Sequence, residues 1–393
     1  MDIKQVATHV NDALTETLGT SAVLLTEDLS NVVDVGSSVF KANSLDKVVN
    51  ALVDHIGKVV FVNRPYNGIA PKVYMDAWEF GAVLEKISGD MPDAQDNPSW
   101  ELQDGQVYEQ DKYTAPRVDV KFYHDKTTFE VPISVTDYQM KSAFSSAEQL
   151  VGFVSWIFTQ MENAMTKRVD VLIMNTIVNM AGETIWDEYK DAQGTALTPL
   201  NAKSGVRAVN LLKLYNDEMS ASLTVDRALK DPDFLRFAGE RIRLTMTRLK
   251  GASTLFNVGR KDRFTPLDLL KVVMLSDFVS ATSTYLQSGT FHKELVALPG
   301  YQEVPYWQGT GSDYSLNASF KIRLASDNTK VVDLGTAKLI GVLFDHDALG
   351  VNNYERRVKS HRNEHAEFTN YWYKQDARYF NDLNENYVAF FIA

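Results

Sequence analysis

His361-Arg-Asn-Glu364-His365 is the one spacing in this chain that matches a known hydrolytic chemistry. In the H-x-x-E-H pattern two histidines hold a zinc ion and the glutamate works on the reacting water. That chemistry requires both imidazoles on one helical face and a further carboxylate ligand downstream. Here the flanks, Tyr354-Glu-Arg-Arg-Val-Lys359 and Ala366-Glu-Phe-Thr-Asn-Tyr-Trp-Tyr373, alternate at the period of a strand, and only 28 residues follow His365. The segment is expected as a solvated hairpin turn, with a zinc-dependent hydrolase using His361, Glu364 and His365 as a remote alternative. Asp382-Leu-Asn384-Glu-Asn386 opens like a calcium-binding EF-hand loop. The position that must be glycine is Tyr387, however, and the twelfth, which should be glutamate, is Ala393. Asp90, Asp93 and Asp96 fit no defined cation spacing. No phosphate-binding loop, dinucleotide fingerprint or G-x-S-x-G turn occurs. The absence of cysteine excludes a thiol nucleophile, a thiolate zinc site and a disulfide framework. No catalytic residue, metal or cofactor is expected, and the chain is read as not an enzyme.

A chain without a site must be explained by what its elements build. The longest periodic run, Ser145 to Gly182, opens on a capping-box spacing, Ser145 and Glu148. Apolar residues recur at Leu150, Val154, Ile157, Met161, Met165, Val169, Ile173, Ile177 and Met180, which predicts one long helix with Gly182 as its C-terminal stop. Glu162, Lys167, Arg168 and Asp170 cut across its middle, so it is not a membrane span.

Composition bounds the rest. The chain has 393 residues, 45% hydrophobic and 23% charged, which is enough for two or three soluble cores. A net charge of −11 argues against gripping nucleic acid through phosphate neutralisation, but is compatible with enclosing it. The N-terminus lacks a secretory signal; Ile3, Val6, Val10 and Leu14 mark one face of a short helix instead.

The expected order of elements is as follows. Residues 1–72 alternate short pieces, including a helix near Ser44–Ile56 and a strand at Lys58–Val62. Residues 73–140 are different in kind: from Asp76 to Asp111 ten acidic side chains stand against one basic one, Lys86. Alternating segments Arg117–Tyr123 and Phe129–Val135 flank a turn at 124–126, and Pro132 marks an edge strand or a strand's end. They predict either a long two-stranded arm whose tip needs a partner surface or a loose acidic insertion. Further on, helices are expected over Asn201–Met219, from Asp231-Pro232 onward, and over Ser276–Leu286. Strands are expected at Ser253–Asn257, Leu269–Leu275, Glu303–Trp307, Lys338–Phe344 and Tyr387–Ile392.

This order resembles the major capsid proteins of tailed bacteriophages with the Hong Kong 97-type fold. The resemblance is carried by the acidic arm, the helix Ser145–Ala181 directly after it, the run Phe264–Asp277, and Leu339-Ile-Gly-Val-Leu-Phe-Asp-His-Asp-Ala-Leu-Gly350 leading to a terminal apolar strand. It implies an α+β chain divided into an N-terminal arm and start of the peripheral domain (1–72), an extended β-loop (73–140), a peripheral domain with a spine helix (141–230, helix 145–181), an α/β axial domain (231–337) and a return to the peripheral domain (338–393). It implies a major head protein that self-assembles as hexamers and pentamers into an icosahedral shell around double-stranded DNA. Its partners would be a portal protein and a separate scaffolding protein, with assembly in the bacterial host cytoplasm and residence in the virion. Length and lack of cysteine suit a small podovirus of a Gram-positive host. Some members crosslink a loop lysine to a neighbour's asparagine; no motif around Lys86, Asn352 or Asn353 marks that chemistry here. The alternative on the same fold is an encapsulin-like nanocompartment shell.

The arm itself suggests how copies meet. Its carboxylates, among them Glu85, Asp90, Asp93, Asp96 and Glu101, need a basic surface on a neighbour. The candidates are Lys167 and Arg168 on the long helix, and Arg356, Arg357, Lys359 and Arg362.

Overall fold

The computed structural model describes residues 3–19, 23–28, 30–41, 47–48, 51, 70–71, 73, 84–92, 94–108, 111, 113–139, 147–287, 300–308, 314–315, 321–327 and 329–393. The expected helix at Ser44–Ile56 (apart from 47–48 and 51), the strand at Lys58–Val62 and the Ser145/Glu148 cap lie outside these residues. The fold is α+β, as expected. In chain order come helices α1 (Ile3–Leu18) and α2 (Val32–Lys41), then strands β1 (Leu84–Gly89), β2 (Val118–Tyr123) and β3 (Lys126–Thr136). The long helix α3 (Ala147–Tyr189) follows, then β4 (Ala208–Asn210), α4 (Leu211–Glu218), α5 (Pro232–Arg248), β5 (Leu270–Leu275) and α6 (Ser276–Gln287). The remainder is strand: β6 (Tyr301–Val304), β7 (Trp307–Gln308), β8 (Tyr314–Ser315), β9 (Lys321–Arg323), β10 (Val331–Asp333), β11 (Lys338–Asp345), β12 (Leu349–Asn363), β13 (Phe368–Asn381) and β14 (Tyr387–Ile392). Two compact units result. One comprises Met1–Ala70, Lys126–Leu172 and Asn352–Arg378; the other Pro71–Asp125, Ile173–Val351 and Tyr379–Ala393.

In the first unit α1 buries Ala7, Val10, Ala13 and Leu14, the face marked by the i, i+3, i+4 spacing. Its sheet has the order β12-β13-β3. Strand β3 was expected to pair with β2 across the turn at 124–126; instead it pairs antiparallel with β13 along its whole length, Phe368 opposite Thr136 through Arg378 opposite Lys126. Eleven matched residues outweigh the six a β2 partner could offer. Pro132 faces Trp372 on this edge strand, where a missing N–H donor costs no ladder bond.

Helix α3 has 43 residues, about 65 Å at 1.5 Å per residue. From Met161 to Val169 burial is one-sided: Met161, Met165 and Val169 are inside, while Lys167 and Arg168 are exposed. From Ile173 to Trp186 almost every side is buried. Gly182 was expected to stop this helix, which instead continues to Tyr189. A Cβ at Gly182 would lie 2.5 Å from Cγ2 of the buried Ile322, so the glycine admits a close neighbour rather than a turn. Gly182→Val is expected to cost about 1–3 kcal/mol through overpacking, read as a lowered thermal midpoint of the unassembled protein.

The second unit is built on the sheet β4-β14-β11-β5-β6. Its terminal strand β14 is interior, antiparallel to β11 and parallel to β4, and all six residues are buried. Val388, Phe390 and Ile392 join the core formed with Leu212, Phe234, Phe237, Ile242 and Phe278 from the helices. On the opposite face Tyr387 donates its hydroxyl to the Ile177 carbonyl at 2.8 Å, and the ring of Phe391 meets Tyr189 edge-on at 5.8 Å. Asp231 caps α5 by accepting from the N–H groups of Asp233 and Phe234, with Pro232 at the first helical position, as expected.

Two expected elements in this unit are corrected. The helix predicted from Asn201 begins only at Leu211, because the Glu188 carboxylate accepts from the N–H groups of Val206, Arg207 and Ala208 and holds them extended for β4. Ser253–Asn257 forms no strand; a single bridge joins Ser253 to Arg263.

Candidate assembly surface

Strands β1 and β2 form an antiparallel hairpin with Ile87 opposite Val120, Glu85 opposite Phe122 and Gly89 opposite Val118. Period-two alternation divides it into two faces. The apolar face is the one turned to solvent. Ile87 is 65% exposed, Phe122 61%, Val118 52% and Val120 45%.

The polar face is held by ion pairs. Lys86 Nζ reaches Asp382 Oδ2 at 2.7 Å, Glu385 Oε1 at 2.9 Å and the Asp347 carbonyl at 3.0 Å. Lys121 Nζ reaches the other Asp382 oxygen at 2.7 Å. Lys261 bridges Asp90 at 2.9 Å and Asp119 at 2.7 Å, and Arg263 Nη1 donates to the Gly89 carbonyl. The Tyr123 ring packs on Phe380 with centroids 5.0 Å apart. Asp382 is 1% exposed. Burial alone would raise its carboxyl, but hydrogen bonds from Lys121 and Lys86 outweigh burial and lower its pKa from the ordinary 3.8. Burial likewise opposes the charge on Lys86, yet Asp382 and Glu385 raise its pKa above 10.5. A protonated ammonium held by two carboxylates is a structural cation.

The hairpin is thus amphipathic in the unusual sense: Lys86, Asp119 and Lys121 face its own chain, while the outward face is apolar apart from Glu85. Beyond it, residues 94–108 and 113–117 are irregular apart from a single turn at Pro98–Trp100. Trp100 (95% exposed), Val107 (94%) and Tyr113 (85%) project into solvent with Asp96, Glu101, Asp104 and Asp111, and these four carboxylates make no ion pair among the described residues. An exposed apolar set of this size marks an interaction surface.

The charged residues singled out in the sequence divide into three groups. Glu85, Asp96 and Glu101 are exposed on the arm, Asp90 is engaged by Lys261, and Asp93 lies outside the described residues. Arg356, Arg357 and Arg362 are engaged within their own unit: Arg356 with Glu162 at 3.4 Å, Arg357 with Asp376 at 3.2 Å, Arg362 with Asp137 at 3.0 Å. Lys167, Arg168 and Lys359 are exposed. His361 lies near the end of β12, with Glu364 and His365 in the turn after it, all exposed, and Glu364 pairs with Arg362 at 3.2 Å. This is the hairpin turn expected from the flanking alternation; the helix that H-x-x-E-H chemistry needs is not formed. Sequence reasoning missed the clamp, since Lys86 and Asp382 are 296 positions apart with no local signature.

An arm bonded to its own chain on one face and apolar on the other is suited to a protein that tiles with copies of itself. The family model of the Phi29-like phage major capsid protein matches residues 10–391. The chain belongs to that family. It is a major head protein of a phage virion, and its elements are α+β, as the Hong Kong 97-type resemblance implied. Similar solved structures include the capsid of Staphylococcus phage Andhra, at 10% identity over 84% of this chain and 87% of that one, with a TM-score of 0.45. Others are a bacteriophage P68 structure with head fiber and inner core protein (9%, 84% and 87%, 0.45) and the bacteriophage PhiM1 mature capsid (10%, 84% and 87%, 0.43). A comparison with curated proteins returns no match. Neither the nanocompartment nor the zinc hydrolase finds support in these relatives.

Among the described residues no helix is long and apolar enough to cross a membrane.

Proposed function

We propose that the chain assembles into hexamers and pentamers of a closed icosahedral shell around packaged double-stranded DNA. A portal protein would occupy one vertex, and a separate scaffolding protein would guide assembly in the host cytoplasm. Residues 73–140 would serve as the extended loop, 1–72 as the N-terminal arm and start of the peripheral domain, and 141–230 and 338–393 as the rest of that domain around the spine helix. Residues 231–337 would form the axial domain. Support comes from one observation above all: the hairpin keeps its charges at home and turns Ile87, Val118, Val120 and Phe122 outward. A neighbouring copy would cover that stripe. With a net charge of −11, DNA would be contained rather than gripped. Sedimentation velocity of the purified protein tests this: particles of many copies are expected, and a monomer at every concentration, with or without a scaffolding protein, would overturn it.

A further inference from the structure

A second charged surface mirrors the arm. Between Arg241 and Arg263 seven basic residues stand against one carboxylate, Asp262, in a chain whose overall charge is −11. Three of the seven are engaged: Arg241 by Glu218, Lys261 by Asp90 and Asp119, and Arg263 by Glu385. The other four, Arg243, Arg248, Lys250 and Arg260, are exposed and make no ion pair among the described residues. Arg243, Leu244, Thr247 and Arg248 fall on the exposed stripe of α5, three and four residues apart. The loop that follows is tied back by the Ser253–Arg263 bridge and by the Thr265 N–H, which donates to the Leu249 carbonyl at 2.7 Å. Apolar side chains stand among these cations: Leu255 is 58% exposed, Phe264 52% and Leu267 46%.

The arm tip has the complementary composition. Asp96, Glu101, Asp104 and Asp111 alternate with the exposed Trp100, Leu102, Val107 and Tyr113. Among the described residues, the side-chain hydrogen bonds of this stretch stay within residues 97–108. The root of the arm is tied to the basic loop by Lys261 and Arg263, yet among the described residues the tip makes no ion pair to Arg243, Arg248, Lys250 or Arg260.

We infer that the arm tip, residues 94–108 with Asp111 and Tyr113, of one copy docks on the surface formed by Arg243, Arg248, Lys250, Arg260 and the apolar residues between them on a second copy. This rests on the shell proposed above and names the surfaces that meet in it. Four unmatched cations among exposed leucine and phenylalanine fit an acidic, aromatic segment on both counts. A nucleic acid backbone would use the charges alone.

The absence of cysteine gives a direct test. A chain carrying Asp104→Cys together with Lys250→Cys, assembled and then oxidised, is expected to give covalent multimers on a non-reducing gel. The same chain kept unassembled should stay monomeric. Monomer from oxidised particles would overturn the docking and leave the shell standing. In a second arm of the test, R243E/R248E/K250E is expected to lower particle yield about tenfold or more, because weak pairs are multiplied over every copy, and E101K/D104K/D111K in the same chain to restore it. Circular dichroism of the unassembled variant checks that it folds. A folded variant that assembles like the parent would overturn the docking; if its particles lose DNA instead, the surface belongs to the nucleic acid. A parent chain that forms no particles overturns the shell itself, and the docking with it.

Discussion

Asp382→Ala is expected to lower the stability of the unassembled protein by about 3–5 kcal/mol, the cost of removing one partner from a buried ion pair. The side chain is only 2% exposed and serves two ammonium groups, Lys86 and Lys121, each at 2.7 Å. Truncation leaves both beneath the hairpin without their shared counter-charge. The Asn384 N–H, which donates to the same carboxylate at 3.0 Å, is also left without its acceptor. Chemical denaturation reads the loss, and proteolysis within residues 84–123 should accelerate, since this carboxylate ties both Lys86 of β1 and Lys121 of β2 to the rest of the unit. The pH dependence follows from the signs. Asp382 has a lowered pKa in the fold, so its contribution is complete above the ordinary value of 3.8 and is lost as pH falls through the lowered one. Lys86 is raised, so its contribution is complete below 10.5 and is lost only as pH rises through the raised value. The clamp therefore holds across the whole neutral range. Asp382→Asn should flatten the loss of stability on acidification below pH 3.8; an unchanged acid profile would mean that the clamp carries no stability.

Val120→Ser with Phe122→Ser is expected to act in the opposite way, sparing the fold and stopping assembly. Both side chains are about half exposed or more, so their removal should leave the melting curve within ordinary surface-mutation scatter of about 0.5 kcal/mol. Covered by a neighbour, the exposed half of each would contribute roughly 1–1.5 kcal/mol, so the pair should raise the concentration needed for assembly by about one to two orders of magnitude. Light scattering during assembly measures this. Normal assembly of the double variant would show that the stripe faces solvent in the shell as it does in the single chain.

The two substitutions contrast because alternation gives a strand two faces but does not say which faces home. Val118, Val120 and Phe122 alternate with Asp119, Lys121 and Tyr123 in plain view of the sequence, and by default the apolar set goes inside. What reverses it is Asp382 and Glu385, brought under the hairpin from the far end of the chain, a placement fixed by β14 docking between β4 and β11. Elements governed by local chemistry were legible: α5 from Asp231 and Pro232, β11 and β14 from continuous apolar runs, the edge position of β3 from Pro132. Those decided by distant partners were not. Gly182 looks like a helix stop unless Ile322 is known to press on it. The Asn201–Met219 periodicity looks helical until Glu188 claims its N–H groups. The landing cations Arg356, Arg357 and Arg362 looked free because Glu162, Asp376 and Asp137 are remote or masked by alternation. The basic run Arg241–Arg263 was countable from sequence, by the same tally that exposed the acidic arm.

Cryo-electron microscopy of assembled particles tests most directly the claim that this chain tiles a shell through an arm clamped at home on one face and covered by a neighbour on the other. The expected map is a closed shell of hexamers and pentamers in which Lys86 and Lys121 remain on Asp382 while Ile87, Val118, Val120 and Phe122 lie against the adjacent copy. A map with that stripe in solvent, or with the hairpin released from Asp382, would contradict it.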